Sequence, residues 1–250
     1  MKKMYAFVNG KVALKEENGQ LFVPEVIDSL SREDIAGILQ LEDGDIATSI
    51  LSEEQLSSMG LVLHDVRESR LQIASADFQA MCRAKQLLFW HNNTMFCPTC
   101  GAPTFRSDSL EKRCPKCGHL SYPPLAPAII VRVERGADEI LMVRAKSFRS
   151  DHYGLVAGFL EPGESLEECV ARELMEETHI KVRNIKYEGS QPWPFPCGVM
   201  IAFSAEYESG DIIKQEEELV DAQWFHRDNL PKLPDGMSIA RQLIDAWLKK

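Results

Sequence analysis

Three glutamates stand at positions that place them on one face of a helix, within a single turn. Glu173, Glu176 and Glu177 occupy positions i, i+3 and i+4 of the segment LEECVARELMEET, and side chains with this spacing are neighbours on a helix surface. Carboxylates this close repel one another, and Arg172, four residues before Glu176, offsets only part of the repulsion. A divalent cation would offset the rest, and oxygen ligands at this density suit Mg²⁺ or Mn²⁺. The pattern therefore indicates metal-dependent chemistry.

A helix cap and a glycine-flanked loop precede these glutamates. Ser165 is a favourable N-cap residue, and Glu168 three residues later completes a capping box. The loop from Gly158 to Gly163 can bring backbone groups close to metal ions and phosphates. A solvated, charged helix face would explain any two of the glutamates, but it does not explain the loop, the cap and the cluster together.

Four cysteines form two C-P-x-C-G pairs with the spacing of a zinc site. Cys97 and Cys100 are followed, after thirteen residues, by Cys114 and Cys117. The turn in each pair points both sulfurs inward, and four sulfurs complete the tetrahedral shell that zinc prefers. Because a full shell leaves no open position for substrate, we expect a structural zinc ion. A redox pair would explain one C-x-x-C sequence but not two.

The cysteine-rich segment also has a small excess of positive charge, which leaves binding of nucleic acid open as an alternative role. The net charge is +2, four basic minus two acidic residues, from Arg106, Lys112, Arg113 and Lys116 against Asp108 and Glu111. This bias is faint, so structural support is the favoured interpretation.

Apolar periodicity divides the chain into three parts that would hold these motifs. We expect a small mixed domain over residues 1–93, a zinc ribbon over residues 94–124 and an α/β domain over residues 125–250. The predicted strands are Tyr5–Val8, Lys11–Leu14, Leu21–Val26, Ala128–Val133, Glu139–Ala145 and Val199–Tyr207. Asn-Gly turns at residues 9–10 and 18–19 separate the first three strands. The predicted helices are Asp77–His91, Leu166–Thr178 and Ser238–Leu248.

Composition and charge narrow the class of protein. The 250 residues are 44% hydrophobic and 26% charged, which is typical of a globular protein, and the net charge is −10. An acidic total argues weakly against non-specific binding of duplex nucleic acid. No apolar run approaches the ~20 residues of a membrane helix, and the first residues lack the apolar core of a signal peptide. We therefore expect a cytoplasmic protein with no membrane partner.

The stretch from Gly158 to Ile180 resembles the Nudix box, G-x5-E-x7-R-E-U-x-E-E-x-G-U, in which U is a bulky aliphatic residue. The matching residues are Gly158, Glu164, Arg172, Glu173, Leu174, Glu176, Glu177 and Ile180. His179 replaces the box's second glycine, which would serve a left-handed turn after the helix. Histidine tolerates this conformation better than most residues, at a cost of order 1 kcal/mol, so we expect an effect on stability and not on chemistry. The resemblance implies an α-β-α Nudix fold of the α+β class, a mixed sheet with flanking helices.

The resemblance also implies a metal site. Glu173 and Glu177 would bind Mg²⁺ or Mn²⁺, with Glu176 beside them as a ligand or a base. The backbone carbonyl of Ala157 and the carboxylate of Glu218 would add further ligands, although Glu218 in its run of three glutamates is equally typical of a solvated surface.

Two box residues would support the ligands. Glu164 would brace the glycine-flanked loop and Arg172 would orient a glutamate. The metal ions would draw charge off a bridging pyrophosphate and lower the pKa of the attacking water.

Alternating prolines beyond the box predict a stiff, extended segment, SQPWPFP from Ser190 to Pro196. Its rings at Trp193 and Phe195 suit stacking on a base or a nicotinamide, and a rigid, aromatic-packed loop is the alternative. With the box and the cysteine pairs, the segment resembles the SQPWPFPxS array of the NADH pyrophosphatase (NAD diphosphatase) family, over residues 94–250. The resemblance implies substrate contacts at Gln191, Pro192, Trp193, Pro194, Phe195, Pro196, Cys197 and Gly198, where Gly198 replaces the final serine.

Single residues elsewhere also match that family. The resemblance implies a substrate-contacting tyrosine at Tyr122, a ring that packs on the ligand at Phe159 and a backbone contact at Ala240. Packing in a core is the alternative role for Tyr122.

Together these features imply hydrolysis of NAD(H) to NMN(H) and AMP and, as in some members of the family, removal of NAD caps from RNA. The resemblance further implies a homodimer with the substrate site at the subunit interface. The alternatives are a Nudix hydrolase of ADP-ribose or a dinucleoside polyphosphate, and an inactive module that senses nucleotides and binds nucleic acid. The proline array argues against the first alternative, and the complete set of acidic box residues argues against the second.

Overall fold

Short strands joined by tight turns begin the chain in the computed structural model, which describes residues 2–26, 37–41, 44–106, 110–148, 150–236 and 238–250. Asp108 of the cysteine-rich segment lies outside this described part. The chain divides into two units, Met1–Leu125 with Pro194–Cys197, and Ala126–Trp193 with Gly198–Lys250.

The first unit holds a mixed sheet in the order β3-β2-β1-β5-β4, with β6 paired to β2. The strands are β1 Met4–Val8, β2 Lys11–Glu17, β3 Gln20–Phe22, β4 Ile38–Gln40, β5 Ile46–Thr48 and β6 Val62–Asp65. Both residues of each predicted Asn-Gly turn have positive φ, between 49° and 80°, so those turns are confirmed. The predicted strand Leu21–Val26 is wrong beyond Phe22. Pro24 has no N–H to donate to a ladder, and Glu25 pairs only in an isolated bridge with Lys3.

The helices of this unit belong to two apolar clusters, with Leu56 of the first helix beside Ala6 and with the third helix beside Tyr5 and Phe7. The helices are α1 Glu53–Ser58, α2 Val66–Ser69 and α3 Ser75–Asn93. The prediction of a helix over Asp77–His91 is confirmed, with two more residues at each end. The apolar face of α3 is buried against the first sheet through Met81, Ala84 and Leu88, as its 3.6-residue periodicity requires.

The cysteine-rich segment folds into a small antiparallel sheet in the order β7-β8-β9. The strands are β7 Phe105–Arg106, β8 Lys112–Arg113 and β9 Leu120–Ser121. Hydrogen bonds join this sheet to the end of α3: Trp90 Nε1 donates to Ser121 Oγ (3.1 Å), and Lys112 Nζ donates to the His91 carbonyl (2.8 Å).

The second unit is built on a mixed sheet in the order β13-β14-β10-β11-β15, with β12 paired to β10. Its strands are β10 Ala126–Arg135, β11 Glu139–Ala145, β12 Val156–Phe159, β13 Lys181–Trp193, β14 Gly198–Ser209 and β15 Leu219–His226, and its helices are α4 Leu166–Thr178 and α5 Ile239–Leu248. The β10–β14 pair is parallel, and the other pairs of β10 are antiparallel.

Alternation along β10 explains why a helix lies on each face of this sheet. Ile129 and Val131 pack in the apolar cluster that contains Leu174 of α4. Ile130 packs in a separate cluster with Trp247 of α5. Successive side chains of a strand point to opposite faces, so a strand that is apolar on both faces requires a cover on each. The predicted α-β-α layering is confirmed.

Candidate active site

Helix α4 begins and ends where its sequence predicts. The Ser165 Oγ accepts from the Glu168 backbone N–H (3.2 Å), and the Glu168 carboxylate accepts from the Ser165 N–H (2.7 Å). At the other end His179 has φ 58° and ψ 21°, the left-handed conformation predicted for it. Both ends of the acidic helix are therefore fixed by local interactions.

Arg172 joins the glycine-flanked loop to the acidic face of α4. Its guanidinium contacts Glu164 at two nitrogens (2.5 and 3.1 Å), Glu173 (2.9 Å) and Glu176 (3.0 Å). It also donates to the carbonyl of Phe159 (2.9 Å). The hydrogen bond to Glu164, followed by those to Glu173 and Glu176, raises the pKa of Arg172 above its ordinary value. The guanidinium therefore stays charged and holds three carboxylates in fixed positions.

Glu164 is tied to the loop as well as to the helix. Besides Arg172, its carboxylate accepts from the backbone N–H of Glu161 (2.9 Å). The hydrogen bond from Arg172, followed by that from Glu161, lowers the pKa of Glu164 to about 2. Glu164 therefore remains ionised and keeps the loop folded against α4.

Glu177 is the buried member of the acidic cluster, with 6% of its surface exposed. Burial, followed by the charges of Glu173, Glu218 and Glu176, raises its pKa to about 8. Within the described part of the chain no basic side chain pairs with it. A carboxylate that is both buried and surrounded by like charge is unfavourable unless a cation joins it. The donor set consists of hard oxygens, so it fits Mg²⁺ or Mn²⁺.

Glu218 reaches this cluster through a loop that is hydrogen-bonded to the end of α4. The Gln215 N–H donates to the Glu177 carbonyl (2.9 Å), and the Glu218 N–H donates to the Gln215 carbonyl (3.3 Å). The side chain of Glu218 is exposed, yet its charge is among those that raise the pKa of Glu177. Ala157, the other predicted ligand outside α4, is an exposed residue of β12 in register with Ile130.

The four paired cysteines form one metal-binding cluster, with all four sulfurs within 4.8 Å of one another. Cys97 Sγ lies 3.5 Å from Cys117 Sγ, and Cys100 Sγ lies 3.4 Å from Cys114 Sγ. Zinc–sulfur bonds of about 2.3 Å place tetrahedral sulfurs about 3.8 Å apart, so the cluster fits Zn²⁺.

The two cysteine turns have the same backbone geometry. Gly101 donates to the Cys97 carbonyl and Gly118 donates to the Cys114 carbonyl, each at 2.9 Å. Both glycines have positive φ, 71° and 78°, which a residue with a Cβ rarely adopts. The repeated turn explains why each pair ends in glycine.

The basic residues of the ribbon differ in exposure, which weakens the alternative that it binds nucleic acid. Lys112 is 1% exposed. Its ammonium donates to the carbonyls of His91 (2.8 Å) and Thr94 (3.3 Å) at the end of α3. Lys112 therefore stabilises the fold, while Arg113 and Lys116 are exposed.

The predicted substrate array is divided between the two units at Trp193. In the second unit, the Gln191 Oε1 accepts from the Ile239 backbone N–H (3.1 Å) and so caps the first turn of α5, which contains Ala240. In the first unit, Pro194 and Phe195 are held by α3: Lys85 Nζ donates to the Pro194 carbonyl (2.6 Å). Pro192 and Pro196 are exposed, Trp193 and Cys197 are half-buried, and Gly198 is buried.

Two cations lie over the ring of Phe195. The Lys85 Nζ is 4.4 Å from the ring centroid, and the Arg67 Cζ is 4.3 Å from it. Neither Lys85 nor Arg67 is among the site residues predicted from the sequence. For Lys85 a signal was present, because it stands four residues after Met81 and three before Leu88 on the buried face of α3, where a cation requires a specific partner.

Two predicted substrate-contacting rings are exposed. Tyr122 in the first unit is 58% exposed and Phe159 in the second unit is 63% exposed. The alternative that Tyr122 packs in a core is therefore wrong. Large exposed rings are available to stack on a ligand.

Comparisons with known proteins agree with the predicted fold. Residues 123–247 match the NUDIX domain family, and residues 92–122 match the NADH pyrophosphatase zinc ribbon domain. The chain belongs to the Nudix family and is a hydrolase of that class, as predicted from its box, with a structural zinc ribbon and a catalytic requirement for Mg²⁺ or Mn²⁺.

Among individual relatives, the chain is 43% identical over 209 residues to the NAD-capped RNA hydrolase NudC of Pseudomonas syringae pv. syringae. This alignment covers 82% of this chain and 74% of that protein. It is 39% identical over 245 residues to the NAD-capped RNA hydrolase NudC of Pseudomonas aeruginosa, and the alignment covers 95% of this chain and 86% of that protein. A crystal structure of a NUDIX hydrolase from Nitrosomonas europaea aligns with a TM-score of 0.49 and 25% identity, over 62% of this chain and 89% of that one. In the described residues, no helix has both the length and the apolar character needed to cross a membrane.

Proposed function

We propose that this protein hydrolyses the pyrophosphate bond of NAD(H), giving NMN(H) and AMP, and removes NAD caps from the 5′ ends of RNA. The observation that carries the proposal is the buried Glu177 among Glu173, Glu176 and Glu218, a cluster that favours a divalent cation. The choice of substrate is supported by the proline array, by the zinc ribbon of the NADH pyrophosphatase type and by the names of the relatives.

Glu173, Glu177, Glu218 and the carbonyl of Ala157 would hold the divalent ions. When bound, Mg²⁺ or Mn²⁺ withdraws charge from the pyrophosphate and lowers the pKa of a water molecule. The side chains of the protein would position these groups and move the proton. Glu176, with half of its side chain exposed (51%) and held by Arg172, would act as a further ligand or accept the proton of the attacking water.

Arg172 and Glu164 act as positioning residues in this proposal. Arg172 fixes Glu173 and Glu176 at 2.9 and 3.0 Å. Through the Phe159 carbonyl it also fixes the loop that precedes the helix. Catalytic carboxylates held in this way need little reorganisation when substrate binds.

The exposed rings and the proline array would bind the dinucleotide. Tyr122, Phe159 and Trp193 would supply flat faces for a nicotinamide or adenine ring. Gln191 of β13 would fix the start of α5 through its hydrogen bond to Ile239, and Ala240 would offer a backbone contact to the dinucleotide. The remaining residues of the array, Pro192, Pro194, Phe195, Pro196, Cys197 and Gly198, would line the site.

We also propose that the enzyme is a homodimer in the cytoplasm. Large apolar side chains in and beside the ribbon are exposed to between 45% and 66% of their surface: Phe96, Phe105, Leu110, Tyr122 and Leu125. A set of this many exposed apolar side chains is typical of a surface that a second subunit covers. The division into domains at residues 1–93, 94–124 and 125–250 stays a prediction.

Product analysis tests the proposed function. Purified protein is incubated with NADH and Mn²⁺, and with an NAD-capped oligoribonucleotide, and kcat/KM is compared on both. We expect NMNH and AMP from NADH, and NMN with a 5′-monophosphate RNA from the capped substrate. ADP-ribose and a dinucleoside polyphosphate serve as competing substrates. Faster hydrolysis of either would contradict the proposal, and so would NADH that binds without any release of AMP.

A further inference from the structure

A solvent-open cleft of 320 Å³ lies in the second unit, beside the end of β11. Its walls include Arg144, Lys146, Phe148, Ser150, Asp151 and Val220. None of these residues belongs to the Nudix box or to the proline array. Lys146, Ser150 and Asp151 are exposed, so a ligand in the cleft can continue into solvent.

The cleft has a net positive charge. Arg144 and Lys146 contribute two cations, and the acidic side chain Asp151 is already paired with Lys232, whose Nζ lies 2.5 Å from its carboxylate. That ion pair, led by the hydrogen bond from Lys232, lowers the pKa of Asp151. The cationic groups that remain for a ligand are therefore those of Arg144 and Lys146.

Arg144 has a donor for which the described residues supply no partner. Its Nε is buried, and among the described residues nothing accepts its hydrogen. Its guanidinium lies 5.9 Å from the centroid of the Tyr153 ring, which restrains its orientation. A restrained arginine whose Nε lacks an acceptor among the described residues suits an anionic ligand at its guanidinium, because an unsatisfied buried donor is unfavourable.

The backbone connects the cleft directly to the acidic cluster. The Lys146 N–H donates to the Glu218 carbonyl (2.8 Å), and Val220 of the cleft lies two residues beyond Glu218. The charge of Glu218 in turn acts on Glu177. A basic cleft therefore adjoins the site at which the pyrophosphate would be cut.

An aromatic ring forms part of the cleft wall. Phe148 is stacked on His152, with centroids 4.6 Å apart and an angle of 9° between the planes. Flat rings together with cations are typical of surfaces that bind single-stranded nucleic acid.

We infer that this cleft binds a backbone phosphate of the RNA that follows the NAD cap. The inference rests on the proposed function and identifies a contact that an NAD-capped RNA would make and free NAD(H) would not. The pyrophosphate of the cap would be engaged at the acidic cluster, so a neighbouring cation site that opens to solvent serves a further phosphate. A protein with a net charge of −10 repels RNA overall and needs a local basic site to hold it.

The test compares the wild type with the double variant Arg144→Gln/Lys146→Gln on two substrates. We expect kcat/KM on an NAD-capped 20-nucleotide RNA to fall at least fivefold, while kcat/KM on NADH stays within a factor of two. The dependence of log kcat/KM on log salt should also flatten for the RNA, since each lost phosphate contact removes about 0.7 from the slope for a single strand. Lys181→Gln, at an exposed position of β13, is the matched control and should change kcat/KM on neither substrate. An equal loss on both substrates, or no loss on the RNA, would overturn the inference.

A binding measurement without catalysis separates the inference from the proposed function. Fluorescence anisotropy with an uncapped 5′-monophosphate RNA in EDTA should show at least fivefold weaker binding for the double variant, and Arg144→Lys should restore part of the loss. If the wild type hydrolyses neither NADH nor capped RNA, the proposed function fails and the anisotropy result still decides the cleft. AMP is titrated in parallel. Loss of AMP binding with RNA binding unchanged would assign the cleft to a free nucleotide and contradict the inference.

Discussion

A Cβ atom on Gly158 would stand 1.9 Å from the carboxyl carbon of Glu173 and 2.0 to 2.2 Å from its two oxygens. The carboxylate of a predicted metal ligand therefore occupies the space that any other residue at position 158 would fill. Gly158 has no left-handed φ in this structure, so close approach, and not backbone conformation, requires the glycine.

Replacing Gly158 by alanine should displace the Glu173 carboxylate. We expect Gly158→Ala to lower kcat on NADH by at least tenfold, because a metal ligand moved by about 1 Å no longer holds productive geometry. Thermal melting should change little, since the displaced group is the end of a flexible side chain and not backbone. Steady-state kinetics and melting measure the two effects. Gly236→Ala is the control, because a Cβ there meets no described atom within 4 Å. Activity of Gly158→Ala equal to that of the control would remove Glu173 from the proposed metal site.

The local features of this site could be predicted from the sequence, because their partners are close along the chain. The capping box joins Ser165 to Glu168, and the left-handed turn at His179 depends only on the end of α4. The position of Glu218 could be proposed only by resemblance. Its approach to Glu177 depends on how the loop after β14 folds back on α4, which no periodicity specifies.

Glu177 offers a test of both catalysis and electrostatics. We expect Glu177→Gln to keep the fold and to lower kcat by two or more orders of magnitude, about 3 kcal/mol of barrier. Turnover of NADH with Mn²⁺ measures this effect. Near-normal turnover would exclude Glu177 from the mechanism.

The same variant should change how stability depends on pH in metal-free protein. Folding raises the pKa of Glu177 from 4.5 to about 8, so between these values the folded state holds a proton that the unfolded state has lost. Stability from this group is therefore present below pH 4.5 and is lost as the pH rises through 8. In EDTA, the wild type should melt at a lower temperature than Glu177→Gln at pH 8, and the two should agree near pH 4.5. Added Mn²⁺ should stabilise the wild type more than the variant. Parallel pH profiles would contradict the raised pKa.

The zinc cluster should contribute to stability and not to the chemical step. We expect Cys100→Ser to lose zinc and to melt at a lower temperature, because three sulfurs leave the tetrahedral shell incomplete. Metal analysis and melting measure these effects, and Cys197→Ser, outside the cluster, should keep its zinc. Activity lost while zinc content and melting stay unchanged would contradict the structural role.

Lys112 should stabilise the junction of the ribbon and α3. Replacing it with methionine removes the charged donor that the carbonyls of His91 and Thr94 share. Among the described residues these carbonyls keep the neutral donors Thr94 N–H and Thr104 Oγ1, and a hydrogen bond to a charged group contributes about 1.5–3 kcal/mol. We expect the free energy of unfolding of Lys112→Met to fall by that amount in urea titrations. Arg113→Met, at the exposed neighbouring position, should change it by about 0.5 kcal/mol or less. Equal effects of the two substitutions would exclude a special role for the buried lysine.

Lys112 and Lys85 show where prediction from the sequence ends. Lysine is usually a surface residue, but packing supplies a buried partner for each of these two. The carbonyl that Lys85 contacts is 109 residues away in the chain. Lys112 contributes to the basic charge of the ribbon in the sequence, and its position in the sequence does not indicate that it is buried. Contacts of this kind depend on how separate elements meet, so the periodicity that places Lys85 on the buried face of α3 does not specify its partner.

Lys85 should fix the part of the proline array that contains Pro194 and Phe195. Its ammonium donates to the Pro194 carbonyl at 2.6 Å and lies 4.4 Å from the centroid of the Phe195 ring. Without it, the segment samples more conformations and the substrate must order it on binding. We expect Lys85→Met to raise the KM for NADH about fivefold, with kcat within a factor of two, because the acidic cluster is unchanged.

Two further variants separate this positioning role from general damage to α3. Lys85→Arg keeps a cation that can donate to the carbonyl and stack on the ring, so it should restore most of the affinity. Arg83→Met removes a cation from an exposed position of the same helix and should leave the KM unchanged. A fall in kcat with the KM unchanged, or a failure of arginine to rescue while melting stays normal, would show that Lys85 does not position the array.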